Sequence, residues 1–326
     1  IDLGETMKQR VLVTGGFGFV GSQLLQLIAR RNDLDITVAD NLLAGNPLPD
    51  VNFVYADVRN ANVMDKLIPQ YDTIVHLAAV VGEPACAIDP NFSRDVNVSG
   101  TINIVAAMRK HQRLIFTSTS SVYGNRPNEL VTEESAPLPL NHYARQKYTA
   151  ELAITESDIE HVIVRPVTAF GITQRTRLDL LVNNLIYDAL SYKRIEIYEP
   201  NIMRPIIHVL DFARILVEAI DGRLQANNTY NIGDPQYTTT KWKLAQYIAK
   251  LCGAKVDIGQ GSSLDLRDYD VSFKKLMDTG FIFGQNRLEL AIQQIKSIQY
   301  EVAEKKEEYT TPYKVMLFLE RDSKGV

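Results

Sequence analysis

The segment Thr14-Gly15-Gly16-Phe17-Gly18-Phe19-Val20-Gly21 most narrows what this chain can fold into. It follows Arg10–Thr14, an apolar run that reads as a buried strand, and opens an apolar stretch to Arg31 that reads as a helix. Strand, glycine turn and helix in that order begin a dinucleotide-binding βαβ unit. Gly15 permits the tight turn, Gly18 lets backbone approach a pyrophosphate, and Gly21 lets the helix pack closely on the sheet. The helix start offers unpaired N–H groups and a positive dipole end to phosphates. Asp40 closes the next strand, Asp35–Ala39, at the distance where an acid accepts hydrogen bonds from both ribose hydroxyls. An acid there repels a 2′-phosphate, and no arginine stands beside it in Ala39-Asp40-Asn41-Leu42, so the expected cofactor is NAD rather than NADP.

The pattern continues with strands at Asn52–Ala56, Thr73–Leu77, Arg113–Thr117 and His161–Arg165. Between them lie helices at Asn91–Lys110 and His142–Glu156. Short β-branched strands alternating with amphipathic helices predict an α/β fold with a Rossmann-type, doubly wound parallel sheet. The second half is less regular. Helices are expected over Arg177–Ser191, His208–Ile220, Thr239–Cys252 and Asn286–Tyr309, with a strand end at Tyr230–Gly233. The expected organisation is a cofactor-binding domain over 1–170, to which the chain returns at about 206–233. A smaller, interleaved C-terminal substrate-binding region spans 171–205 and 234–312, and 313–326 form an apolar tail.

Composition excludes several function classes. The 326 residues are 45% hydrophobic and 23% charged, ordinary for a globular protein. A net charge of −4 gives no basic footprint for nucleic acid and no electrostatic capture on an anionic membrane. Cys86 and Cys252 are far apart, without a CxxC pair or Cys/His cluster, so no metal site is expected and both thiols read as reduced. No apolar run approaches the roughly 20 residues of a spanning helix, and Ile1–Arg10 lacks a signal-peptide core. The expectation is a cytoplasmic protein.

Tyr143-Ala-Arg-Gln-Lys147 places a phenol and an ammonium on one face of a helix. A neighbouring cation favours phenolate, which makes Tyr143 a candidate general base near neutral pH. The hydroxyl-rich run Thr117–Gly124 lies just past a strand end, where open α/β sheets bind ligands.

These motifs, taken together, resemble the extended short-chain dehydrogenase/reductases of the nucleotide-sugar epimerase/dehydratase type. The matching pieces run in family order over almost the whole chain: Thr14–Gly21, Asp40–Leu42, Asp57-Val58, His76–Ala79, Asn97–Thr101, Ser118–Gly124, Tyr143–Lys147, Arg165-Pro166, Arg204–Asp211 and Asn231–Gly233. The resemblance implies that Asp57 and Val58 flank the adenine, and that Leu77, Ala78 and Ala79 line the pyrophosphate and nicotinamide ribose. Asn97 would support the site from the long helix. Phe19, Val20, Asn41, Thr117, Pro166 and Val167 would join the three glycines and Asp40 at the cofactor. Thr119 takes the place of the catalytic Ser or Thr, Tyr143 that of the base, and Lys147 that of its partner, which also holds the nicotinamide ribose. The substrate would meet Val81, Gly82, Ser120, Asn183 and Thr168, the last standing where the family commonly has Asn. Arg204 and Arg267 resemble the arginines that hold a substrate diphosphate, a task suited to a bidentate guanidinium. A homodimer built on the helices Asn91–Lys110 and His142–Glu156 is also implied.

The same resemblance implies a first step in which a sugar hydroxyl, at C4, is oxidised. The family's 4,6-dehydratases carry Asp-Glu directly after the catalytic Thr, and its uronate decarboxylases carry Glu. Here Ser120-Ser121 follow Thr119 and supply no strong acid or base. A nucleotide-diphosphate sugar as partner and 4-epimerisation as outcome are therefore the leading expectation. Dehydration, C3/C5 epimerisation, ketosugar reduction, or a non-catalytic nucleotide-binding protein on the same fold are the alternatives. Glu83, Cys86 and His142 are further candidate acid/base groups, with packing or helix-start roles as the alternative.

Overall fold

The computed structural model describes residues 8–260, 268–303 and 306–323. Among these residues, seven strands form one parallel sheet: β1 (Gln9–Thr14), β2 (Leu34–Asp40), β3 (Asn52–Tyr55), β4 (Thr73–His76), β5 (Arg113–Thr117), β6 (Glu160–Pro166) and β7 (Asn228–Ile232). Their order is β7-β6-β5-β4-β1-β2-β3. The chain winds outward from β1 to β3, then restarts beside β1 and winds the other way. The crevice for a ligand opens at this switch point, between the C-terminal ends of β1 and β4. This is the doubly wound α/β fold that the sequence predicts.

Continuous apolar runs explain the parallel sheet. Val11, Leu12 and Val13 are fully buried, as are Leu114–Phe116 and Val162–Val164, so both faces are covered. Successive side chains point to opposite faces. Val11, Val13 and Val75 join one core with the helices Phe19–Ile28 and Val209–Ile220. Leu12, Ile74 and Phe116 join another with Ala61–Leu67, Gly100–Ala107 and His142–Thr155. A third core gathers Phe170, Ile186, Ile248 and Ile295 in the C-terminal region.

Four predicted helices differ at their ends. The first stops at Ile28. The long one starts at Pro90, where Asp89 accepts from the N–H groups of Asn91 and Phe92. It widens into a π turn at Asp95–Ser99 and ends at Ala107. Arg177–Ser191 is helical only from Leu181. The helix from Arg287 ends at Val302, before a separate turn at Lys306–Tyr309. The tail is a helix, Thr311–Asp322, started by Pro312 and a Thr310 cap. It docks on its own chain: Val315 is fully buried, Phe318 lies 5.7 Å from Phe92, and Asp322 reaches Arg59 at 3.4 Å.

Candidate active site

Gly15 has φ +69°, and a Cβ there would lie 2.5 Å from the backbone nitrogen of Ala78. Only glycine allows the β1 turn to sit this close to the loop after β4. Beneath it, His76 is held between the hydroxyls of Thr14 at 2.8 Å and Thr101 at 3.0 Å. Burial pushes its imidazole down to about 3, so the ring is neutral. Gly21 fits because a Cβ would strike Gly16 at 2.5 Å. Gly18 caps the helix Phe19–Ile28 without a side chain, so the first N–H groups face the cleft uncapped. Asp40 ends β2, accepting from Phe17 N at 3.0 Å and Leu42 N at 2.8 Å. Burial pushes its carboxyl upward against those two bonds. Each oxygen keeps acceptor capacity for a ribose hydroxyl.

One cleft runs over the strand ends. Gly15, Gly18, Phe19, Val20, Gly21, Asp40, Asn41 and Val58 line its β1–β3 half. Leu77, Ala78, Ala79, Val81 and Gly82 line the middle. Thr117, Thr119, Ser120, Tyr143, Lys147, Pro166, Val167 and Thr168 line the β5–β6 half. Thr119 caps the turn Ser120–Tyr123 and accepts from Ser121 N at 3.1 Å. Ser120 shares a hydrogen bond with the phenol of Tyr269 at 3.1 Å. Tyr143 is the second residue of the helix His142–Thr155, and its N–H donates to Glu83 Oε2 at 3.0 Å. Lys147 is 3% exposed, with Nζ 4.0 Å from the Phe116 ring centre. Burial pushes its ammonium down to about 7, with Glu151 opposing the shift.

Asn97 lies in the π turn, which aims it at the wall loop: Oδ1 accepts from Val80 N and Nδ2 donates to Val80 O, both at 2.9 Å. Nδ2 also donates to Gln146 at 2.8 Å. It braces the cleft from behind rather than lining it. Cys86 is fully buried, its thiol pushed up to about 12 mainly by burial, so packing describes it and acid/base work at neutral pH does not. Glu83 is committed to the helix start, accepting from Tyr143 N and bonding His142 Nδ1 at 2.8 Å, which gives His142 a helix-start role too.

Three predicted residues are placed elsewhere. Asp57 lies off the cleft wall and accepts from Asn41 at 2.9 Å and from Arg59. Asn183 is fully buried; it accepts from Gly171 N and donates to the carbonyls of Gly171 and Arg177. Its amide braces that backbone in this structure. Arg204 is buried off this wall and donates to Met203 O at 3.0 Å. Arg267 lies outside the described residues. Sequence reasoning missed Arg175, Arg177, Tyr269 and Thr311, which also line the cleft. The only available signal was two arginines spaced two apart just past the strand Thr168–Phe170.

The glycine cradle, the uncapped helix and Asp40 fit a dinucleotide along one continuous cleft. The sequence model of the NAD dependent epimerase/dehydratase family matches residues 11–233. The chain belongs to this family. NAD is the family's cofactor, and its members are enzymes. A provisionally named UDP-glucose 4-epimerase of Methanocaldococcus jannaschii is 30% identical over 242 residues, 70% of this chain and 78% of that protein. The dTDP-glucose 4,6-dehydratase of Streptomyces niveus is 29% identical over 272 residues, 76% of this chain and 79% of that one. The UDP-glucose 4-epimerase of Thermus thermophilus, solved with NAD, superposes with a TM-score of 0.78. At 24% identity, this match covers 88% of this chain and 99% of that chain. Among the described residues, no helix is long and apolar enough to cross a membrane.

The Lys147 environment has a stability consequence. Its folded value near 7 lies below the ordinary lysine value of 10.5, so the unfolded chain binds more protons between these limits. Wild-type stability therefore rises with pH across that window. Lys147→Met lacks this titration and keeps the chain length. In nucleotide-free protein it is expected to be neutral to about 4 kcal/mol more stable at pH 7. Thermal melts at several pH values should show the gap narrowing toward pH 10; a gap that widens with pH would contradict this account.

Proposed function

We propose that this enzyme is a nucleotide-sugar 4-epimerase. The observation that carries the reading is the make-up of the β5–β6 half of the cleft. A hydroxyl, a phenol and an ammonium line it, while the residues after Thr119 are two serines held by Tyr269 and by Thr119 itself. Glu83 also lines the cleft, but its two oxygens are engaged by His142 Nδ1 and Tyr143 N at the helix start, and Cys86 holds its proton. The set suits reversible oxidation of a hydroxyl and, among the described residues, offers no free acid/base pair of the kind elimination needs.

Tyr143 takes the proton of the C4 hydroxyl as that carbon is oxidised, and Lys147, when charged, favours the phenolate. Thr119 donates to the same oxygen as it becomes a carbonyl. Bound NAD supplies the hydride acceptor and, in the return step, the donor. The 4-keto sugar turns over in the cleft, and Tyr143 returns the proton after hydride is restored to the opposite face. Val81, Gly82, Ser120 and Thr168 border the sugar in this reading. The named relatives make UDP-glucose the first substrate to test.

Incubation with a panel of nucleotide sugars in deuterated water tests the outcome. Epimerisation at C4 by hydride return is expected to leave the product carbons free of solvent deuterium. Deuterium on the sugar carbons would instead establish elimination or C3/C5 epimerisation, the second reading that the dehydratase relative keeps open.

A further inference from the structure

Among the described residues, three cations line the cleft: Lys147, Arg175 and Arg177. Lys147 belongs to the β5–β6 half. Arg177 is neutralised by Asp179 at 2.5 Å. Arg175 is different. It is 7% exposed, and within the described residues its guanidinium donates only to carbonyls, Thr176 O at 2.6 Å and Thr310 O at 3.4 Å. Among the described residues its buried Nε has no partner and no ion pair includes it. Burial pushes its guanidinium down to about 10 and Arg177 adds repulsion, which Asp179, already paired with Arg177, only partly offsets. A buried cation ordinarily carries a counter-charge, because desolvation without one is costly.

The surroundings reinforce the positive charge. Arg175 also forms the wall of an adjoining chamber that contains Lys314 and Arg321, with Glu308 as its acid. Its position is built rather than incidental. Leu178 N donates to Tyr309 O at 2.9 Å, so the arginine loop is stitched to the start of the C-terminal helix. That helix is anchored on Phe92 and Arg59. Arg175 thus faces the cleft that Gly18 and Phe19 also line, where a dinucleotide carries its two phosphates.

We propose that Arg175 is a cofactor-binding residue that clamps the diphosphate of NAD, supplied by the C-terminal region rather than by the glycine turn. The C-terminal helix then acts as the positioning element for that clamp. The inference rests on the cofactor occupying this cleft, and the test separates the two claims.

The full-length protein, stripped of nucleotide, is titrated with ADP-ribose by calorimetry and with adenosine by NMR. Arg175→Met is expected to weaken ADP-ribose by about 10- to 100-fold, as for lost hydrogen bonds to a charged group. Adenosine binding should stay within about two-fold of wild type, and Arg175→Lys should recover part of the loss. The ratio of the two affinities within one variant does not depend on how much of that variant is folded. An unchanged ratio overturns the clamp while leaving the cleft assignment intact. Wild-type protein that binds neither ligand overturns the cleft assignment and the clamp with it.

Discussion

Tyr143→Phe is expected to lower turnover by about 10²- to 10⁴-fold, the range for losing a positioned general base. The NAD released on denaturing the purified protein should match wild type. The substitution leaves the surrounding packing in place. The ring belongs to the core on the face of the sheet that carries the helix His142–Thr155, and it is only 9% exposed. Phenylalanine keeps that packing, and the backbone bond to Glu83 is untouched. Only the phenolic oxygen disappears, and with it the group assigned to take the substrate proton. Wild-type turnover in the variant would remove Tyr143 from the mechanism. A purified protein that prefers NADP would separately overturn the role given to Asp40.

Glu151→Gln should cost about 3–5 kcal/mol of stability, the effect of leaving one member of a buried ion pair uncompensated. Glu151 is 2% exposed and Arg165 6%. They form two hydrogen bonds, at 2.6 and 3.0 Å. Ser118 donates to the same carboxylate. On the other side Arg165 donates to the Tyr123 phenol at 2.9 Å, and that phenol donates to Asn231 at 2.6 Å. Four elements meet in this network: the end of β5, the helix His142–Thr155, β6 and β7. Glutamine preserves shape and removes the charge, so Arg165 stays buried without its counter-ion. Urea unfolding should show the loss, and adding Arg165→Met should restore most of it by removing the stranded cation. A cost below about 1 kcal/mol would mean that the network is dispensable.

The carboxylate of Glu151 reaches beyond stability. It lies one helical turn beyond Lys147 and partly offsets the burial that pushes the Lys147 ammonium down. The same substitution therefore moves the Lys147 titration further down. Structure and chemistry share one acid here.

The glycine turn, the first five strands and the Tyr143/Lys147 face were legible because their causes are local. A φ of +69° at Gly15 demands glycine, and runs such as Val11–Val13 declare a strand buried on both faces. Helix ends were less legible. Asp89, a cap two residues upstream, sets the long helix's start, and the π turn around Asn97 has no periodic signal. The wall of the cleft depended on partners far along the chain. Glu83 meets Tyr143 across 60 positions, and Arg175 meets Thr310 across 135. No window of sequence contains both ends of such a bond. Asn183 is the local counterpart: its amide bonds backbone only twelve positions away, at Gly171.

The place of β7 in the sheet has a consequence for how the protein is made. The strand it pairs with, Glu160–Pro166, leaves the ribosome more than sixty residues before Asn228–Ile232 does. Throughout that stretch of synthesis the growing sheet ends on β6, whose outer N–H and C=O groups have no neighbour. Such an edge is a template for pairing with another chain. The nascent protein carries an open seam that only its later residues can close.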